Sequence, residues 1–137
     1  MTALVVDASV AIKWYVREAD SAEATRILAS PLTLYAPALL RLEVANGLWK
    51  QWRRKLVSAE HVAEAMAILG RTINVWSPVE PLLDAALKLS LALDHPIYDC
   101  LYLALAEKLD APLVSADQRL LALAPKGAAI ALKDWQS

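Results

Sequence analysis

Four acidic residues stand in segments that are otherwise apolar: Asp7, Glu43, Asp99 and Asp117. Asp7 ends the run Leu4-Val5-Val6, and Asp117 closes Leu113-Val114-Ser115-Ala116. Glu43 interrupts Leu39-Leu40-Arg41-Leu42-Glu43-Val44-Ala45, and Asp99 precedes the apolar stretch from Cys100 to Ala106. A carboxylate buried without compensation costs roughly several kcal/mol, so such groups are normally paired or metal-bound. No Lys or Arg along these segments is placed to pair with all four, and the economical reading is convergence on a cation. All-oxygen donors with no Cys or His set beside them favour a hard ion, Mg²⁺ or Mn²⁺, over zinc. Carboxylates holding such ions suit phosphodiester hydrolysis, in which the metal activates water and neutralises charge on the phosphoryl group. Metal-free RNA cleavage by paired histidines is hard to build from His61 and His95, one in a solvated helix and one in a turn.

The elements that must position these groups alternate between strand and helix. Ala3 to Val6, Leu32 to Tyr35, Ile73 to Trp76, Leu113 to Ser115 and Ala128 to Leu132 read as short apolar strands. Helices are expected from Ser9 to about Arg17, Ser21 to Ala29, Ala38 to Arg54, Ser58 to Leu69, Pro81 to Leu93 and Ile97 to Leu109, with Ser9, Ser21 and Ser58 as caps. Asp94-His95-Pro96 breaks the last two apart. Strands joined by helical crossovers imply an α/β fold, a parallel sheet of four to five strands covered on both faces. Asp7 and Asp117 would then lie beyond the C-terminal ends of strands, where open α/β sheets form their ligand crevice. Asp99 would sit in a first helical turn, favoured by the dipole. Glu43 shares a helix face with Asn46, Gly47 and Lys50.

Composition sets the context. At 137 residues the chain makes one domain, with no repeat, low-complexity tract or linker to divide it. An apolar fraction of 58% is high for a soluble domain and suits a buried subunit interface as well as a core. A net charge of −1 creates no global field for nucleic acid, so any such binding must come from a local patch. One cysteine forbids an internal disulfide and fits a reducing compartment. Without a basic n-region or an apolar run near 20 residues, neither signal peptide nor membrane span is expected, and the cytoplasm is the expected location.

Each acid also has an ordinary reading. Asp7 and Asp117 could cap the helices that follow them, Glu43 could pair with Arg41 or Lys50, and Asp99 could serve the dipole alone. Asp94 reads as a cap or turn residue and Cys100 as core. The one concentrated basic stretch is Trp49-Lys50-Gln51-Trp52-Arg53-Arg54-Lys55. Lys50, Arg53 and Arg54 could hold RNA phosphates, with Lys13 a further candidate beside Arg17. Alternatively the stretch is a helix C-terminus whose cations meet the dipole, and the tryptophans are expected to pack inward.

The segments Val5-Val6-Asp7-Ala8-Ser9-Val10, Ala36-Pro37 with Glu43-Val44-Ala45-Asn46, His95-Pro96-Ile97-Tyr98-Asp99-Cys100-Leu101-Tyr102, and Leu113-Val114-Ser115-Ala116-Asp117 resemble, in order, the signature segments of the PIN-domain family. More narrowly they resemble the VapC toxins of toxin–antitoxin pairs, metal-dependent ribonucleases neutralised by a VapB antitoxin. The resemblance implies a three-layer sandwich, with Asp7, Glu43, Asp99 and Asp117 as the catalytic metal-site acids and Asp7 and Asp99 foremost among the ligands. It assigns Ser9 and Ser115 supporting hydroxyls, Ser115 replacing the more usual threonine; Asn46 joins them from its place on the Glu43 face. It also implies RNA as substrate, Mg²⁺ or Mn²⁺ as cofactor, a VapB-type antitoxin and a homodimer. The competing readings are a non-catalytic PIN-like binding module, a receiver-like phospho-acceptor domain, and a phosphatase with Asp7 as nucleophile. The receiver lacks its strand-end Asp after Leu32 to Pro37. The phosphatase lacks a second Asp at Ser9.

Overall fold

The computed structural model describes residues 2–136. Five parallel strands, β1 (Ala3–Val6), β2 (Thr33–Pro37), β3 (Val75–Ser77), β4 (Leu113–Ser115) and β5 (Ala129–Ala131), lie in the order β3-β2-β1-β4-β5. The helices are α1 (Ala8–Ala11), α2 (Ser21–Ala29), α3 (Leu39–Arg53), α4 (Ala59–Thr72), α5 (Leu83–Leu93), α6 (Ile97–Leu109) and α7 (Gln118–Leu123), with a 3-10 turn at Ile12–Trp14. The chain steps outward from β1 to β3, then returns through α5 and α6 to start β4 on the other side of β1. Because parallel crossovers are right-handed, this reversal puts helices on both faces. The α/β sandwich is as expected.

β1 and β4 are the central strands and are fully buried: Leu4, Val5, Val6, Leu113 and Val114 have no exposure. α6 packs across β1, β2 and β4. Every residue from Cys100 to Ala106 is buried, which explains the unbroken apolar run there. Cys100 is core, as expected. The register Val5↔Leu113 and Val6↔Val114 places the next pair, Asp7 and Ser115, side by side at the C-terminal edge.

Several boundaries differ from the sequence expectation, each for a local reason. The helix expected from Ser9 to Arg17 is only Ala8–Ala11, followed by the 3-10 turn. Asp7, not Ser9, caps it, its carboxylate accepting from Val10 N at 3.2 Å. Ser21 does not cap α2; its hydroxyl accepts from Glu18 N, and Asp20 in the left-handed region occupies the cap position. Ser58 does cap α4, accepting from His61 N. α4 continues to Thr72, so β3 starts at Val75 rather than Ile73. Asn74 bridges the gap: its side-chain oxygen accepts from Leu34 N at 2.7 Å, and its own N–H donates to Leu34 O. Asp94, with φ 50, closes α5 in the left-handed conformation that Asp tolerates.

Candidate active site at the sheet edge

The order reverses between β1 and β4, and this switch point is where an open α/β sheet opens its crevice. Asp7 stands at its floor, only 4% exposed. Ser115 Oγ donates to Asp7 Oδ2 and Ser9 Oγ donates to Oδ1, both at 2.6 Å. Ser9 Oγ also accepts from Ala116 N at 2.9 Å, and Ser115 Oγ accepts from Asp117 N at 3.0 Å. Two hydroxyls thus tie the end of β1 to the end of β4 and hold one carboxylate between them. Burial pushes the Asp7 carboxyl up to about 6; the serine and Val10 donors oppose that rise, and Asp117 adds to it.

Three further acids approach from separate elements, Asp117 acting by its charge on Asp7 and Glu43, and Asp99 on Glu43. Asp117 follows β4 and caps α7, accepting from Arg119 N at 2.9 Å and Leu120 N at 3.3 Å. Both Asp7 and Asp117 cap the helices that follow them, one of the two readings open at the level of sequence, and both stand at the C-terminal edge of the sheet. Glu43 arrives from α3 and accepts a hydrogen bond from the hydroxyl of Tyr102 on α6. Burial raises the Glu43 carboxyl, Tyr102 opposes this, and the charges of Asp99 and Asp117 raise it further. Neither Arg41 nor Lys50 pairs with Glu43; Arg41 instead lies 4.4 Å over the Trp76 ring. Asp99, one turn before Tyr102, meets His95 Nε2 at 2.6 Å.

Two residues here had no assigned role in the sequence. Tyr102 is 1% exposed, and burial beside Glu43 drives its phenol pKa far up, so it is a permanent donor. Its signal was a tyrosine three residues after Asp99 inside a core helix, where an OH needs a partner. His95 stood as a turn residue; its contact is local, at i−4 from Asp99, and is further held by Ser90 Oγ donating to the His95 carbonyl.

The remaining candidates fall differently. Asn46 is exposed and makes no side-chain hydrogen bond among the described residues. Lys13 is paired with Glu18 at 3.3 Å, its side chain 12% exposed. Trp49 and Trp52 do not pack inward: they are 46% and 47% exposed. The reason is the helical wheel, since the buried stripe of α3 is Leu40, Val44 and Leu48, which turns both tryptophans toward solvent.

The donor set fits a hard cation. Among the described residues Asp7, Glu43 and Asp117 have no Lys, Arg or His partner, so nothing basic offsets their mutual repulsion. Among those residues, too, no three acidic, His or Cys side chains stand together as a ready-made ligand cage. That openness suits an ion that keeps several waters and takes only one or two carboxylates, as Mg²⁺ does.

A PIN domain model matches residues 4–126. The curated relatives include ribonuclease VapC3 of Pyrobaculum aerophilum, 38% identical over 122 residues, covering 85% of this chain and 91% of the relative. Ribonuclease VapC1 of Mycobacterium tuberculosis is 33% identical over 124 residues, covering 89% and 91%. Among solved structures, the crystal structure of PAE2754 from Pyrobaculum aerophilum superimposes with a TM-score of 0.74 at 25% identity, covering 96% of this chain and 85% of that one. A fold with this switch-point crevice, and a family match over most of the length, place the chain in the PIN-domain family.

Proposed function

We propose that this protein is a metal-dependent endoribonuclease, the toxin of a toxin–antitoxin pair, neutralised by a VapB-type antitoxin. The observation that carries the reading is Asp7: a desolvated carboxylate at the switch point, held by two serines, with no basic partner and with Asp117 close enough for its charge to be felt. The names of the VapC relatives support RNA as the substrate. A bound Mg²⁺ or Mn²⁺ would supply Lewis-acid activation of water and neutralise charge on the phosphodiester. Asp7 and Asp99 would hold it, with Glu43 and Asp117 completing the acidic shell. Ser9 and Ser115 fix the Asp7 oxygens in the plane their hydrogen bonds define, and Tyr102 and His95 do the same for Glu43 and Asp99. In-line attack of water would leave 5′-phosphate and 3′-hydroxyl ends.

The test is incubation of antitoxin-free protein with a mixed RNA pool, with Mg²⁺ or with EDTA, beside Asp7→Asn and Asp99→Asn. Metal-dependent cleavage lost in both variants is expected; 2′,3′-cyclic phosphate ends would overturn the mechanism. The absence of a preassembled ligand cage keeps one competitor, a non-catalytic binding module, which would bind partners and cleave nothing.

A homodimer belongs to the same proposal. α5 exposes Leu83, Leu87 and Leu91, at 39%, 47% and 76%, as an i, i+4, i+8 stripe of leucine. An apolar line of this kind on one helix face is what a helix-to-helix subunit contact covers.

A further inference from the structure

Of the four cations singled out in the sequence, Lys50, Arg53 and Arg54 lie on α3 or at its end, and their directions around that helix separate them. At about 100° per residue, Lys50 and Arg54 lie within about 20° of Glu43 on the helix wheel, whereas Arg53 is turned away by about 80°. Gly47, on the same face, is where the 3-10 turn comes close: a Cβ there would meet Ile12 Cδ1 at 3.1 Å. Beyond that contact a groove of about 480 Å³ opens, bordered by Ile12, Gly47, Lys50 and Arg54. A second groove of about 750 Å³ shares Glu18, Gln51 and Arg54 with the first and continues past Arg17, Ser58 and His61. The two make one trough, starting one helical turn from Glu43 and running along the C-terminal half of α3.

The charges along it favour an anionic strand. Its acid, Glu18, is engaged by Lys13, and Lys50, Arg54 and Arg17 are exposed. His61 donates from Nε2 to the Tyr15 carbonyl, 2.7 Å away, which holds its ring at the trough wall. Arg53 borders the first groove, yet its guanidinium lies 5.5 Å over the Trp49 ring.

We infer that the trough is an RNA-binding track extending the active site, in which Lys50, Arg54 and Arg17 take phosphates of the strand leaving the carboxylates. Lys13, committed to Glu18, is outside it, and Arg53, at its border, is committed to Trp49. The helical rise puts Lys50 about 10 Å and Arg54 about 16 Å along α3 from Glu43. At about 3.4 Å per nucleotide of a stacked strand, these are roughly three and five nucleotides from the acids. The inference rests on the ribonuclease reading and adds the substrate's path and direction.

The experiment measures anisotropy of a fluorescein-labelled, mixed-sequence 12-nucleotide single-stranded RNA between 50 and 200 mM NaCl, with Mg²⁺, on an Asp7→Asn parent that binds without cutting. Each phosphate contact on a single strand contributes about −0.7 to the salt slope, so Lys50→Gln with Arg54→Gln should flatten it by about 1.4. The loss of affinity across that range then shrinks by about seven-fold. Arg53→Gln alone should leave the slope in place. A flattening by Arg53→Gln as large as that of the pair, or none by the pair, overturns the track, the latter leaving the trough to a protein partner. A parent that binds no RNA at all removes the ribonuclease reading together with it. Circular dichroism confirms that these surface variants are folded.

Discussion

Asp7→Asn has a consequence for the metal-free fold that is separate from catalysis. Burial raises the Asp7 carboxyl from its ordinary 3.8 to about 6. At about 1.4 kcal/mol per tenfold change in proton affinity, that difference corresponds to about 3 kcal/mol. At 4% exposure there is little solvent to dissipate it. The folded carboxyl holds its proton where the unfolded one has released it, so stability is full below pH 4, falls as pH rises through 6 and is flat above 7. Asparagine keeps an acceptor for Val10 N and Ser9 Oγ but carries no charge, so the variant lacks this fall. Glu43 contributes a change of the same sign to both proteins, and the charges acting on it are those of Asp99 and Asp117, so it cancels in the difference. Urea unfolding of both proteins in EDTA at pH 4, 5, 6 and 7 reads it directly. The variant should gain about 2.4 kcal/mol on the parent across that range, because the unfolded carboxyl is already partly ionised at pH 4. Adding Mg²⁺ at pH 7 should more than offset that gain, since ligand at 1,000 times its Kd adds about 4.1 kcal/mol to the protein that binds it. A difference between parent and variant that stays constant from pH 4 to 7 would refute the claim that Asp7 is strained by burial.

Tyr102→Phe keeps the shape of the core and removes the one hydroxyl that donates to Glu43. It should cost about 1–3 kcal/mol of stability and shift Mn²⁺ titrations, followed by thermal unfolding, to higher concentration. A lower melting temperature with an unchanged metal titration would make the tyrosine structural only. Leu87→Asp with Leu91→Asp should convert a dimer into a folded monomer by light scattering, because both side chains are already exposed within the chain. A dimer that survives this pair has its interface elsewhere.

The parts of this molecule that were legible in the sequence are those written in local chemistry. Four acids inside apolar runs, each at the end of a strand or in a buried helix, signalled a site because a lone buried charge is costly. The strand–helix alternation likewise signalled a covered parallel sheet. Boundaries were less legible where side chains compete for the same backbone groups. Asp7 took the cap that Ser9 was expected to hold, because the serine hydroxyl was drawn back to the carboxylate. The tryptophans of α3 were misplaced because a basic, aromatic helix end has no single polar face. Only the buried stripe of Leu40, Val44 and Leu48 fixes the wheel.

What the sequence alone determined is the inventory: hard oxygen donors, a single reduced thiol in the core, a set of cations on one helix, and elements of the right kind in the right order. What only the tertiary structure decided is partnership. Ser115 reaches Asp7 across 108 residues and Tyr102 reaches Glu43 across 59, distances over which no periodicity carries information. The cap reading of Asp7 and Asp117 was borne out, and at Asp7 the second carboxylate oxygen is taken up by Ser115 from the neighbouring strand. The cations were sorted by which neighbour each one met, a carboxylate for Lys13, an indole for Arg53 and open solvent for Lys50 and Arg54. Contacts between residues far apart in the chain depend on the register of β1 against β4 and the packing of α6 on the sheet, and those exist only once the chain has folded.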